Sequence, residues 1–327
     1  VLRAWLEFAA CLAAIGYAGY HLTRYADAIA EKARISAGWA GLVLLATITS
    51  LPELMTGSSA VTVAGAPEIA IGDVLGSSVF NLFLLAVADA ARRGQPIYAH
   101  ASRGHIVSAA FGIALLGIVL AGLALGRAGP AVGHVGWYSP VIAAVYAFAI
   151  HAVLRFERRL TPAALEIAPR HPGLSLRAAV ARYAMFAAAV IAAGVWLPFV
   201  GARLAAAMGW SDTFVGTLLV AIVTSMPEIV TTLAAVRIGA IDLAVGGVLG
   251  SNLFDVVIVA IDDLLYAKGP ILADVSGAHA ISATSAMVMS ACLIGAFWIR
   301  PRRAWWINGT LAAVFLFNSW AVYRAAA

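Results

Sequence analysis

The sequence predicts an all-α membrane protein of ten transmembrane helices, arranged as two inverted five-helix repeats whose motif helices are broken. Three observations lead there. The 327 residues are 63% apolar and 11% charged, with a mean hydropathy of +0.94, a balance outside that of soluble globular domains. Ten apolar segments follow one another along the chain, each about 17–25 residues long, the length that crosses a bilayer as helix. One block of sequence occurs twice: Thr49-Ser50-Leu51-Pro52-Glu53 followed by Gly76-Ser77-Ser78-Val79-Phe80-Asn81, then Thr224-Ser225-Met226-Pro227-Glu228 followed by Gly250-Ser251-Asn252-Leu253-Phe254-Asp255. The order is the same and the separation agrees within one residue, the mark of an internal repeat.

The first expected span, 5–22, is long enough to stay in the membrane, so no cleavable signal peptide is read. The second, 37–62, carries Thr49 to Glu53, and the third, 69–91, carries Gly76 to Asn81. Spans 104–125 and 136–154 complete a first repeat over 1–155. A basic linker, 156–179, is stiffened by Pro162, Pro169 and Pro172 and is too short for a regulatory domain. The second repeat, 180–327, holds spans 180–206, 213–236 with the second Pro-Glu motif, 241–265 with Gly250 to Asp255, 277–299 and 304–323. An odd number of spans in each repeat forces opposite orientations.

This layout places about 16 of the 21 Lys and Arg residues on one face, Arg92, Arg155, Arg237 and Arg300 among them, which makes that face cytoplasmic and puts both termini outside. The 155–182 loop is then cytoplasmic. The net charge of +5 is this loop asymmetry rather than a nucleic-acid surface, and the basic linker can also touch lipid headgroups. Trp137, Tyr138, Trp305, Trp306, Trp320 and Tyr323 fall near span ends as an interfacial belt. Cys11 and Cys292 lie in apolar runs as packing residues, and the histidines lack metal-protease spacing.

An ionised carboxylate inside a bilayer is costly, so Glu53, Glu228 and Asp255 need an explanation. Their spans carry almost no basic partner, which points to cations taken from solution. Pro52 and Pro227 cannot donate a backbone hydrogen bond, so each is expected to break its helix just before the glutamate and to free carbonyls near Ala46, Thr49, Ala221 and Thr224. Ser77 with Asn81, and Ser251 with Asp255, each share a helix face. Gly72, Gly76, Gly246, Gly247 and Gly250 allow these helices to approach closely, and Ser50 and Ser225 can join the glutamates. Oxygen donors without thiolate or imidazole suit calcium, sodium or magnesium rather than zinc or copper. Such a site is costly to expose unfilled, so alternating occupancy, that is exchange, is its natural cycle. Glu68, Asp73, Asp89, Asp242, Asp262 and Asp263 fall near span ends. They are expected to be structural or solvated, with an acidic vestibule as the alternative.

On these motifs the sequence resembles the calcium/cation antiporter superfamily, in particular bacterial sodium/calcium exchangers, and the resemblance covers both repeats and the ten-span layout. It implies Glu53 and Glu228 as central calcium ligands with the carbonyls of Thr49 and Thr224. Asn81 and Asp255 would flank the centre, and Ser50, Ser77, Ser225 and Ser251 would complete the sodium sites. The chain departs from the pattern at Ile48 and Val223, where glycine is usual, and at Ser78, where asparagine is usual.

The expected function is a secondary antiporter exchanging calcium, or another hard divalent cation, for sodium by alternating access in a bacterial plasma (inner) membrane. The first and sixth spans would slide across the motif bundle. Calcium, sodium and membrane lipid are the expected partners. No resident cofactor is expected, and the sequence is silent on oligomeric state. Proton-coupled antiport on the same fold and a passive cation channel are the alternatives. An intramembrane hydrolase fails because no membrane histidine or lysine pairs with a motif serine as base.

Overall fold

The computed structural model describes residues 2–32, 46–92, 94–160, 173–237, 239 and 241–325, and these are predominantly helical. The long helices are α1 (Leu2–Lys32), α2 (Leu51–Ser59), α3 (Pro67–Ala91), α4 (Gly104–Leu125), α5 (Tyr138–Leu160), α6 (Leu176–Met208), α7 (Met226–Arg237), α8 (Ile241–Leu265), α9 (His279–Ile299) and α10 (Trp305–Ala325). A single helical turn precedes each motif helix, Ala46–Thr49 before α2 and Ala221–Thr224 before α7. π-Helical turns adjoin both, Ala60–Ala64 after α2 and Val215–Val220 before the second turn. A two-stranded hairpin pairs β1 (Ala131–Val132) with β2 (Val135–Gly136).

Local chemistry sets the boundaries. Pro67 opens α3 at a position where its missing N–H would have no helical partner. The Ser175 hydroxyl caps α6 by accepting the Ala178 N–H at 3.2 Å, and Gly209 ends that helix in the left-handed region at φ 67°.

A helix lies at each expected span, although residues 37–45 of the second and 161–172 of the linker fall outside the described residues, as do Arg34, Arg93 and Arg170. Among the described residues, five helices are long and apolar enough to cross a membrane: Pro67–Ala91, Gly104–Ala128, Leu176–Met208, Ala244–Leu265 and His279–Ile299. The pair Asp212–Thr224 and Met226–Arg237, bent by 45° at its break, makes a sixth if taken as one span. Helices α1 and α10 are long enough but less apolar: α1 carries Glu7, Tyr17, Tyr20 and His21, and α10 carries Asn308, Thr310, Asn318 and Ser319.

The apolar interior divides in two. The larger core joins α3, α4, α8 and α9 with parts of α2, α5, α7 and α10. A second, separate core is made by α1, α6 and the Val215–Val220 turn, together with Val223 and with Ala66 and Ile69 at the start of α3. Helix α1 lies along α6, and Glu7 pairs with both Arg3 and Arg203 at their edge. The pair meets the motif helices largely through small residues: Thr56 and Ser59 of α2 donate to the carbonyls of Gly194 and Val195 at 3.4 and 2.8 Å.

The halves meet backbone to backbone. A Cβ on Gly72 would stand 2.9 Å from the Thr217 amide nitrogen, one on Gly216 would stand 2.8 Å from the Ile69 carbonyl, and one on Gly76 would collide with the Thr217 carbonyl. Only glycine lets α3 lie this close to the second half, the approach expected of Gly72 and Gly76.

The internal repeat extends to hydrogen bonds far from the motifs. Glu68 accepts the Ser276 N–H at 2.6 Å and pairs with His279 Nε2 at 2.8 Å. Asp242 accepts the Ser102 N–H at 2.6 Å and pairs with His105 Nε2 at 2.9 Å. Each of these residues stands 174 positions from its counterpart. At the same offset, Asp89 accepts the Ile97 N–H at 2.7 Å and Asp263 the Ile271 N–H at 2.8 Å. These four acids are structural.

Gly76→Ala should therefore force α3 from the Val215–Val220 turn and cost about 1–3 kcal/mol. Gly112→Ala should leave stability unchanged or slightly raised, because a Cβ there meets nothing within 4 Å. Thermal melts of the purified chain test the contrast, and equal melting of the two variants would refute the contact.

Candidate cation site

The site begins with two broken helices. Pro52 and Pro227 lack the N–H that would continue the ladder, and the chain turns at Ser50 (φ −86°, ψ 12°) and Ser225 (φ −79°, ψ 11°), nearly the same conformation in both halves. The interruption leaves the Thr49 and Thr224 carbonyls without a helical bond from the Glu53 and Glu228 amides. The expectation for Ala46 and Ala221 needs correcting. Their carbonyls are not freed but accept the Ser50 and Ser225 N–H groups at 3.0 and 3.1 Å, because the turn before each break is still closed.

Each glutamate is held by a serine from either half. Ser225 of the second broken turn and Ser77 of α3 donate to Glu53 Oε1 at 3.2 and 3.4 Å. Ser50 of the first broken turn and Ser251 of α8 donate to Glu228 Oε1 at 3.4 and 3.1 Å. Ser225 and Ser77 lie 3.1 Å apart, as do Thr49 and Ser251. The hydroxyl of Ser77 also reaches the Ala221 carbonyl at 3.4 Å. One cluster thus contains both glutamates, with Asn81 and Asp255 one turn along α3 and α8 from its serines.

The cluster is sealed. Glu53 and Asp255 have no exposed surface, and Glu228 keeps 2%. Among the described residues, Glu53 Oε2, Glu228 Oε2, both Asp255 carboxylate oxygens and Asn81 Oδ1 have no hydrogen-bond partner. Among the described residues no Lys, Arg or His pairs with any of these carboxylates. Nor do three carboxylate, imidazole or thiol side chains close together as a chelate. The donor set is a mixture of carboxylate, hydroxyl, amide and carbonyl oxygen, the chemistry of a hard cation with flexible coordination. A cavity of about 350 Å³ lies elsewhere, at the ends of α3 and α7 between Arg92, Leu233 and Arg237.

Two residues that sequence reasoning left out belong beside the cluster. Asn252 donates to the Ser78 carbonyl at 3.0 Å and accepts from Asn81 at 3.1 Å, which turns the Asn81 amide nitrogen away and leaves its oxygen free. Asp73 accepts the Thr224 hydroxyl at 2.7 Å and is fully buried, not solvated at a helix start. Its spacing of one turn from Ser77 was the available signal.

A family model described as sodium/calcium exchanger protein matches residues 3–155 and 178–324. The chain belongs to this family. It is therefore an integral membrane antiporter of cations and not an enzyme. Among relatives of this exchanger-family chain, CaxA of Alkalimonas amylolytica is 28% identical over 274 residues, 83% of this chain and 84% of CaxA. The inner membrane protein YrbG of Escherichia coli (strain K12) is 28% identical over 227 residues, 67% of this chain and 66% of YrbG. The sodium/calcium exchanger MaX1 of Methanosarcina acetivorans is 43% identical over 60 residues, 18% of this chain and 17% of MaX1. The fold matches that of the sodium-calcium exchanger NCX_Mj at 20% identity and a TM-score of 0.62, covering 97% of both chains. It also matches native YfkE at 16% identity and a TM-score of 0.69, covering 97% of this chain and 92% of YfkE.

Neutralising one buried charge separates the site's electrostatics from its packing. Glu228→Gln should raise the melting temperature of the cation-free exchanger, a gain in stability of at least about 1 kcal/mol, while reducing the further rise on adding calcium or manganese. A lower melting temperature with the cation-induced rise intact would contradict the assignment.

Proposed function

We propose that this chain is a secondary antiporter exchanging calcium, or another hard divalent cation, for sodium by alternating access, on ten spans built as two inverted five-helix repeats. The observation that carries this reading is the reciprocal crossing at the centre: Ser225 donates to Glu53 and Ser50 donates to Glu228, so each half completes the other's ligand set. Glu53 and Glu228 would be the central ligands, with the Thr49 and Thr224 carbonyls and with Asn81 and Asp255 flanking. Ser50, Ser77, Ser225 and Ser251 would complete monovalent sites. The Ala46 and Ala221 carbonyls would contribute least, since each already accepts a backbone N–H and the hydroxyl of Thr49 or Thr224. Calcium and sodium are cargo on this reading, and no resident cofactor is required.

Several features support the cycle. Carboxylates without protein cations are costly to leave unfilled, so a divalent ion or several monovalent ions must replace one another rather than depart together. The separate core of α1 and α6 and its contacts through Gly194 and Val195 support sliding of that pair across the motif helices. The charge distribution supports a cytoplasmic 155–182 loop with both termini outside, and the likeness to the inner membrane protein YrbG favours an inner membrane.

Calcium uptake into proteoliposomes under an imposed sodium gradient tests the reading. Uptake should follow the sodium gradient, and Glu53→Gln should reduce it to the rate of empty vesicles. Uptake driven only by a pH gradient would place the chain among proton-coupled antiporters. Flux without counterflow would make it a channel, and undiminished exchange by Glu53→Gln would remove that residue from the site.

A further inference from the structure

Asp262 and Asp73 differ from every other acid near the span ends. Both are without exposed surface. Neither oxygen of Asp262 has a hydrogen-bond partner, and Asp73 keeps Oδ2 unpartnered. The neighbouring Asp263 shows what a structural acid looks like here: it accepts from Gly136 N–H, Tyr138 Oη, Ser139 Oγ and Ile271 N–H at 2.8, 2.5, 2.5 and 2.8 Å. Among the described residues no cationic side chain pairs with Asp73 or Asp262. Among the described residues, these two buried carboxylates keep three oxygens that no protein group satisfies.

Their positions relate them to the glutamate cluster. Asp73 is one turn from Ser77 on α3, Gly57 is one turn from Glu53 on α2, and Asp262 is two turns from Asp255 on α8, each on the same helix face as its partner. All three steps lead to the same end of the bundle. Glu68 at the start of α3 bonds Ser276 and His279, which follow the end of α8, and Gly57 abuts Asp262: a Cβ on it would stand 2.9 Å from Oδ1. The missing Cβ is the space that the carboxylate itself occupies. The Thr224 hydroxyl joins Asp73 to the second broken turn, and Thr217, whose buried hydroxyl also lacks a partner, lies on the π-helical turn against Gly72 and Gly76 on either side of Asp73.

The pair breaks the repeat. At the offset of 174 that relates Glu68 to Asp242 and Asp89 to Asp263, Asp73 corresponds to Gly247 and Asp262 to Ala88. The opposite end of the bundle therefore has no equivalent carboxylates.

We infer that Asp73 and Asp262, with Gly57 making room and Thr217 at its side, form a second station for a hard divalent cation, one to two turns from the glutamate centre and on one side only. A divalent ion balances the two carboxylates, and the oxygen-only donors exclude a preference for soft metals. The station lies on the α3 N-terminal side, where an ion would pause between the centre and that face. Binding at the station does not depend on the coupling ion of the proposed exchange.

Equilibrium dialysis of the full chain in detergent, with radioactive calcium and separately with manganese, tests this. The wild-type chain should hold a second equivalent of at least one probe. Glu228→Gln should lose the central equivalent and keep the outer one; Asp262→Asn should do the reverse. Gly57→Ala, which sets a methyl group against the Asp262 carboxylate, should weaken the outer equivalent about tenfold or more. The station is overturned if the wild type binds neither probe, or if Asp262→Asn and Gly57→Ala both leave binding unchanged. Retention of both equivalents by Glu228→Gln would refute the central assignment alone, leaving the outer one to the Asp262 and Gly57 variants. Should Asp262→Asn fail to fold, Asp73→Asn and Gly57→Ala decide.

Discussion

Several carboxylates share a buried interior where, among the described residues, no protein cation balances them, and most of the architecture is arranged around that constraint. Burial makes each unpaired charge expensive, so Glu53 and Glu228 are wrapped in hydroxyls that share the field without cancelling it. The hydroxyls must come from several directions, which a continuous helix cannot supply. Breaks at Ser50 and Ser225 allow each motif segment to present a carboxylate, a hydroxyl and a free carbonyl within one turn. The rest of the oxygen comes from α3 and α8, and on α3 glycine allows the close approach to the Val215–Val220 turn that larger residues would prevent.

The duplicated plan gives each half the same duties. Acids at the starts of α3 and α8 hold serine and histidine of the following segment, and acids near their ends hold the next turn. The motif helices are thereby anchored at both ends within the larger core, while α1 and α6 pack in a second core that takes in only the start of α3 and the segment from Val215 to Val223. An anchored frame beside a separately packed pair provides the mechanical contrast that a rocking or sliding transporter needs.

Much of this was legible in the sequence because bilayers narrow the options: helix is the form that satisfies backbone in lipid, and a carboxylate there must have a reason. The Pro-Glu repeats located the breaks, and Gly72 and Gly76 marked the closest contact. Ala46 and Ala221 were read too generously, since a proline two residues past the turn cannot show which earlier carbonyl has already been bonded. Asp73 and Asp262 were obscured for another reason. Closeness to a span end suggests water, yet whether water reaches a side chain depends on what other helices place over it. Asp263, next to Asp262, is satisfied fourfold, and nothing in two adjacent aspartates distinguishes them. The shortfall of α1 and α10 in hydropathy likewise follows from polar side chains whose partners a linear reading does not see.

The contact of Gly72 and Gly76 with Thr217 also has a consequence in time. During synthesis the first half leaves the ribosome with a glycine groove on α3 unfilled and Glu53 lacking Ser225, and both remain so until more than a hundred further residues have followed. The groove must wait in the lipid phase without recruiting another helix. Assembly is thus a late docking event between two incomplete partners, and the order in which the chain is made becomes part of how the centre is kept from closing too soon.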